Sequence, residues 1–335
     1  MKNEPVRLGF VGAGNYTKIR LLPNFKEIPE IELVAIANST EESSQRVANE
    51  FGFAEVISDW ETLVKIPSID AIVIGTQAPL HSEITLAALA SGKHVFMMNA
   101  ISATLDEARL MTQKAQENPD LVTMIFPSGR YMREDALMQK LLEDGYVGEI
   151  VQVMVHWQTP FFGLGGMYEI ARRWVGEHTR IIALRSSLEK KIENPSGQLI
   201  QPTTNTVLGQ LSNGASIIYV HTPTSHSYNR TRIEIHGTEG TLICYSPDEY
   251  QEGIYGAKTG EGEVQLIPVP AEMRSEWENP IGVPVEADFI ATIREEKTPS
   301  PVIPTFEDGM RVMELGEAWG ISARNSAWVN LPLSS

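Results

Sequence analysis

VRLGFVGAGNYTKIRLLP, residues 6–23, decides the fold. Its opening VRLGFVG is short, apolar and ends at Gly12, the pattern of a buried strand. Residues 17–27 follow with Ile19, Leu22 and Phe25 at helical spacing. Between them lies Gly12-Ala13-Gly14-Asn15-Tyr16-Thr17. The first glycine permits a tight turn, and the second lets backbone approach a pyrophosphate. The helix N-terminus beyond supplies N–H groups and the positive end of a dipole. A bare G-x-G also suits a plain tight turn. Its place between a strand and a helix makes it a dinucleotide-binding signal, with Gly12, Gly14, Asn15 and Tyr16 as the expected contacts. Thr17 stands where the third glycine of that fingerprint would be.

Outward from this stretch, strand and helix alternate. Residues 32–37 form a strand, and Ser39 with Glu42 has capping-box spacing before a helix over 41–51. Strands at 71–76, 94–98 and 121–127 are separated by helices at 79–91 and from Thr104, boxed by Glu107, to about 117. Single helices between strands impose crossover connections, hence a parallel, doubly wound (Rossmann) sheet over residues 1–127. From 128 to 335 the texture changes. Helices are expected at 134–144 and 167–175, and a long strand at 149–157. β-rich stretches follow at 180–188, 206–211, 215–221, 231–237 and 240–245. Asn213-Gly214 and Glu239-Gly240 mark turns between them. Residues 246–263 read as a polar surface loop, and helices at 285–296 and 307–322 close the chain, open to packing back on the first domain. The fold class is therefore α/β, with a second, α+β domain whose open sheet is largely antiparallel.

Composition bounds the function. The 335 residues carry a formal net charge of −16, and 42% are apolar, a globular balance. Such acidity argues against nucleic acid or an anionic membrane as partner. One cysteine excludes an internal disulfide and a Cys-rich zinc site. The seven histidines lack an i, i+4 pair and no calcium-loop spacing occurs, so no metal is expected. Neither a signal-peptide core nor a membrane-length apolar run is seen, which points to a cytoplasmic protein.

The second strand ends Asn38-Ser39-Thr40, without the carboxylate that binds the ribose 2′-hydroxyl of NAD and without an arginine for the 2′-phosphate of NADP. The hydroxyls of Ser39 and Thr40 tip the reading toward NADP, though they also suffice as helix caps. Ligands of such sheets lie beyond the carboxyl ends of the strands. Thr76-Gln77-Ala78-Pro79, Asn99-Ala100 and the segment ending in Arg130 fall there, with His81 just behind Pro79 as cofactor contact or cap.

With these residues in view the chain resembles the glucose–fructose oxidoreductase/inositol dehydrogenase (Gfo/Idh/MocA) family. The likeness rests on the opening stretch, on DAIVIGTQAPLHSEITLAALASGKHVFMMNA at 70–100, on Gly148-Glu149-Ile150, on HGTEGTL at 236–242 and on EDGMRVMELGEAWGISARNS at 307–326. The resemblance implies NAD(P)-dependent redox chemistry on a sugar or polyol. It also implies a C-terminal sheet that packs against a second subunit, giving a homodimer or homotetramer. It implies substrate contacts at Arg130 and Tyr131, which a structural role explains equally well. Members usually carry Glu-Lys-Pro after the GKHV strand and an Asp and a His on a helix of the second domain. Met98, Asn99 and Ala100 stand in the first place, and 163–176 holds neither Asp nor His.

Alcohol oxidation still needs a group for the hydroxyl proton. Asn99 is expected to orient substrate or nicotinamide, and Tyr168 or Glu169 to handle the proton. A phenol with a reference pKa of ~10 needs a cation to become a base, and Arg172 lies one helical turn away. The blander reading pairs Glu169 with Arg173. His156 and Trp157 end a strand, as substrate contacts or as packed sheet residues. The leading function is an NAD(P)-dependent oxidoreductase of a sugar-like or cyclic polyol substrate with a non-standard proton relay. A dinucleotide-binding sensor, or a lyase or hydrolase using bound NAD transiently, stays open beside it.

Overall fold

In β1 (Val6–Val11) the side chains alternate between two faces, and all but Arg7, which pairs with Asp70 at 2.7 Å, are buried. A computed structural model describes residues 4–126, 134–158, 165–193, 199–222, 230–246, 253–273, 285–295 and 304–334. The chain divides into two units, Met1–Ser128 with Pro284–Met313, and Gly129–Val283 with Glu314–Ser335.

The first unit is built on β1, β2 (Ile31–Ala37), β3 (Glu55–Val56), β4 (Ala71–Ile74), β5 (His94–Met97) and β6 (Thr123–Ile125). All pair parallel in the order β3-β2-β1-β4-β5-β6, a doubly wound sheet whose order reverses beside β1. The intervening helices are α1 (Leu22–Lys26), α2 (Glu41–Phe51), α3 (Trp60–Leu63), α4 (His81–Ala90) and α5 (Leu105–Gln116). On one face Phe10, Phe25, Phe53 and Phe96 pack edge to face at 5.4–5.7 Å between centroids, joined by Phe289. On the other, Ile74, Ile84, Met97 and Met111 pack with Phe306 and Met310.

The turn Thr17–Leu21 before α1 is π-helical, and its extra residue per turn rotates Ile19 to 74% exposure while Leu22 and Phe25 stay buried. The expected three-residue apolar face thus loses its first member. The capping box at Thr104 and Glu107 forms in both directions, at 3.3 and 3.1 Å.

The second unit holds α6 (Asp135–Glu143), β7 (Ile150–Gln158), α7 (Gly165–Val175), β8 (His178–Ser187), and the small hairpin β9 (Ile192–Glu193) and β10 (Leu199–Ile200). It continues with β11 (Thr203–Leu211), β12 (Ser216–Thr222), β13 (Arg230–Gly237), β14 (Gly240–Ser246), β15 (Gly253–Lys258) and β16 (Gln265–Pro268). Helix α8 (Val285–Ile293) belongs to the first unit, and α9 (Phe306–Asn325) crosses the unit boundary ahead of β17 (Val329–Asn330). The nine-stranded sheet runs β16-β15-β14-β13-β7-β12-β11-β8-β17, and only its β7–β12 pair is parallel. Its inner face buries Val153, Ile181, Val207, Ile217 and Ile235 with Ile170 of α7 and Ala318 of α9. The expected loop at 246–263 is corrected over Gly253–Lys258, which extends the sheet as β15.

Candidate functional site

At the carboxyl end of β1 the chain makes the turn that the glycines allow. Gly12 has φ +82°, and a Cβ there would lie 2.7 Å from Thr76 Cγ2. The missing third glycine is compensated from the neighbouring strand. A Cβ on Gly75 would lie 2.3 Å from the Gly12 carbonyl oxygen, and Thr17 Oγ1 and Cγ2 pack over that position. The close approach of helix and strand is thus made by a glycine on the strand side. Above Gly14 nothing lies within 4 Å of a Cβ position.

A cavity of about 780 Å³ opens here. Its lining takes in Gly12, Gly14, Asn38, Ser39, Thr76, Gln77 and Pro79 of the expected cofactor residues. Asn15, Tyr16, Thr40, His81 and Asn99 are not part of it. Ser58, Asp59, Trp60 and Glu61, around the start of α3, line it and were not legible from the sequence. The residues present fit a dinucleotide. The volume is that of a cofactor site, the floor is glycine, and the buried Thr76 Oγ1 has no partner among the described residues.

The tip of β2 is tied into the turn. Ala13 N donates to Asn38 Oδ1 at 2.7 Å, and Asn38 Nδ2 donates to Ser43 Oγ at 3.1 Å. Thr40, not Ser39, caps α2, accepting from Ser43 N at 3.2 Å. His81 is buried, and its two ring nitrogens face the carbonyl oxygens of Ala100, at 2.8 Å, and of Thr76, at 3.0 Å. Its polar atoms serve the backbone and brace the loops after β4 and β5. Asn99 stands half-buried on the second of these loops. Tyr16 packs on Phe126 at 5.9 Å, and Arg20 covers the same ring at 5.3 Å. The buried Glu286 carboxylate receives Arg20 and Asn24 at 3.2 and 3.0 Å.

In the second unit Tyr168 is buried edge to face against Tyr219, centroids 4.6 Å apart, and Trp319. Burial pushes its phenol well above the ordinary value, away from a base. The expected tuning by Arg172 is corrected, since that guanidinium bonds Glu177 at 2.8 Å. Glu169 pairs with Arg173 at 2.9 Å, and Arg173 also reaches Asp135 at 2.6 Å. Trp174 Nε1 donates to the other Asp135 oxygen at 2.5 Å. Burial still pushes the Asp135 carboxyl above its usual value, against the pull of Arg173. His156 and Trp157 are successive residues of a strand and face opposite ways. Trp157 lies in the core and His156 on the opposite face, where it is half-buried. Trp157, His221 and Asn205 are cross-strand neighbours, and Asn205 Nδ2 lies 3.2 Å from His221 Nδ1. Trp157 Nε1, Asn205 Oδ1 and Tyr168 OH are buried without partners among the described residues. Arg130 and Tyr131 lie outside the described residues. Among the described residues no cluster of His, Cys, Asp or Glu is placed to hold a metal, and no helix is long and apolar enough to cross a membrane.

Comparison with known proteins agrees with this geometry. An oxidoreductase family profile described as an NAD-binding Rossmann fold matches residues 6–126, and that family's C-terminal alpha/beta domain matches residues 167–331. The chain is 26% identical to a levoglucosan dehydrogenase of Pseudarthrobacter phenanthrenivorans, covering 97% of this chain and 96% of the relative. It is 23% identical to a scyllo-inositol 2-dehydrogenase (NADP(+)) of Bacillus subtilis, over 80% of this chain and 77% of that one. The solved apo levoglucosan dehydrogenase shares the fold with a TM-score of 0.80 at 23% identity, over 99% of this chain and 100% of that one. The chain belongs to the Gfo/Idh/MocA family of NAD(P)-dependent oxidoreductases.

Proposed function

We propose that this protein oxidises or reduces a sugar-like or cyclic polyol substrate with NAD(P). The observation that carries the cofactor half is the glycine-floored cavity at the carboxyl ends of parallel strands. The names of the relatives support the substrate class.

Bound NAD(P) would supply the hydride acceptor or donor. The chain's own residues then have separable tasks. Asn99 offers an amide, both donor and acceptor, to orient substrate or nicotinamide, but cannot take a proton. Of the two candidates for the proton, Glu169 is a carboxylate beside Arg173, whereas Tyr168 is kept protonated by burial. Glu169 therefore suits the acceptor and Tyr168 a neutral hydrogen bond to the substrate oxygen. Arg130 and Tyr131 remain proposed substrate anchors. The open face of the second unit's sheet is the proposed contact with a second copy of this chain.

The test is a panel of sugars and polyols scanned by nicotinamide absorbance, followed by pH–rate profiles of Glu169→Gln and Tyr168→Phe on any substrate found. Glu169→Gln should lose 10²-fold or more in kcat together with the acidic limb of the profile. Tyr168→Phe should keep that limb and raise KM. An unchanged profile in Glu169→Gln would remove it from the relay, and silence across the panel with cofactor bound would remove the substrate class.

A further inference from the structure

Resting on the cofactor reading above, we infer that this chain selects NAD over NADP, and that the selecting charges are Asp59 and Glu61 at the start of α3, not residues at the tip of β2. The two cofactors differ by one phosphate on the adenosine 2′-oxygen, carrying close to two negative charges. A site that accepts it needs a cation or a set of uncommitted donors.

The tip of β2 offers little of either. Both ends of the Asn38 amide are used, by Ala13 N and by Ser43 Oγ. Ser44 Oγ accepts from Asn38 N at 2.8 Å and donates to the Thr40 carbonyl at 3.1 Å, which consumes its proton. Thr40 Oγ1 holds the N-cap of α2. The cation of α2, Arg46, is paired with Glu42 at 2.6 Å. What remains are single hydroxyl protons, which do not balance a doubly charged group.

The cavity wall opposes such a group outright. Its lining contains the two acidic residues Asp59 and Glu61 and neither lysine nor arginine. Asp59 is kept in its charged form, because Thr62 and Ser58 donate to it at 2.7 and 2.8 Å and hold its carboxyl below the ordinary value. Acidic side chains on that wall disfavour a doubly charged phosphate, whereas a neutral 2′-hydroxyl donates to a carboxylate. The usual acidic partner of the ribose is thus supplied from the loop after β3 rather than from β2. Trp60, half-buried between the two acids, gives the same wall a flat apolar surface for a purine.

Nicotinamide fluorescence titrations with NADH and NADPH test this without any turnover. The wild-type protein should bind NADH at least tenfold more tightly, with a gap that narrows as ionic strength rises. In Asp59→Asn/Glu61→Gln the gap should shrink chiefly by improved NADPH binding. Asparagine keeps the N-cap acceptor of α3, so the helix survives. Ser39→Arg, which brings a cation to the β2 tip, should move the preference the same way. Equal or tighter binding of NADPH by the wild type, or a gap unmoved in the double variant, overturns the assignment. Failure of both nucleotides to bind at millimolar concentration sinks the cofactor reading itself.

Discussion

At the scale of single residues, the two turn glycines answer different demands, and substitution separates them. Gly12 is required by the backbone, with its positive φ and Thr76 Cγ2 at 2.7 Å from a Cβ. Gly14 is required by nothing in the protein, since its Cβ position faces open space and its φ is ordinary. Gly14→Ala should therefore fold with a melting temperature equal to or slightly above wild type, because alanine restricts the unfolded chain. The added methyl occupies the place where a pyrophosphate approaches, so NADH affinity should fall tenfold or more in the fluorescence titration. Retained affinity would mean that the dinucleotide does not cross the turn at Gly14. Gly12→Ala should instead lose stability, by roughly 1–3 kcal/mol of backbone strain.

Between elements, β8 and β12 are pinned through a buried pair. His178 Nε2 meets Tyr219 OH at 2.9 Å, and burial, with Arg172 nearby, holds the imidazole down to about 4. The unfolded chain returns it to an ordinary value near ~6.5, so between those limits the unfolded state binds the extra proton. Stability from this group is complete above the unfolded value and declines as pH falls toward the folded one. From pH 6.5 to 5 the loss should be about 1–2 kcal/mol. A thermal or urea melt of His178→Gln should start lower at neutral pH and lack that portion of the slope. A parallel slope in both proteins would exclude His178 as its source.

Elements of this length also set what could be read in advance. The strand–turn–helix of residues 6–23 and the box at Thr104 were legible because each is a local pattern with one backbone solution. Ile19 was misread because a π-helical turn breaks the 3.6-residue period on which the reading relied. Helix α3 spans four residues, too short to show any period, so Asp59, Trp60 and Glu61 were missed although they line the cavity. The opposite facing of His156 and Trp157 was legible once β7 was recognised as a strand. The brace made by His81 was not, because it depends on carbonyls from two different loops.

For the molecule as a whole, the sheet of the second unit poses the remaining question. Its inner face is covered by helices, and its outer face carries an apolar row in register. Ile182, Leu208, Ile218 and Met154 stand side by side across β8, β11, β12 and β7. Leu184 beside them is 66% exposed. The row ends at β13, where Glu234 receives Arg232 at 2.9 Å. An apolar stripe ending at an ion pair is the surface that the proposed contact with a second copy of this chain would cover. The acidity lies elsewhere, since residues 247–320 hold 16 acidic and 5 basic side chains, so net repulsion does not concentrate on this stripe. Leu208→Glu places a carboxylate in the middle of the row, where pairing with a second copy would strip it of water at a cost of several kcal/mol. Sedimentation should show the wild-type chain as a dimer or tetramer and Leu208→Glu as a single chain, with unchanged far-ultraviolet circular dichroism. NADH affinity should also be unchanged, because the cavity lies wholly within the first unit. A wild-type protein that sediments as a single chain at micromolar concentration would show that the stripe is not a self-association face.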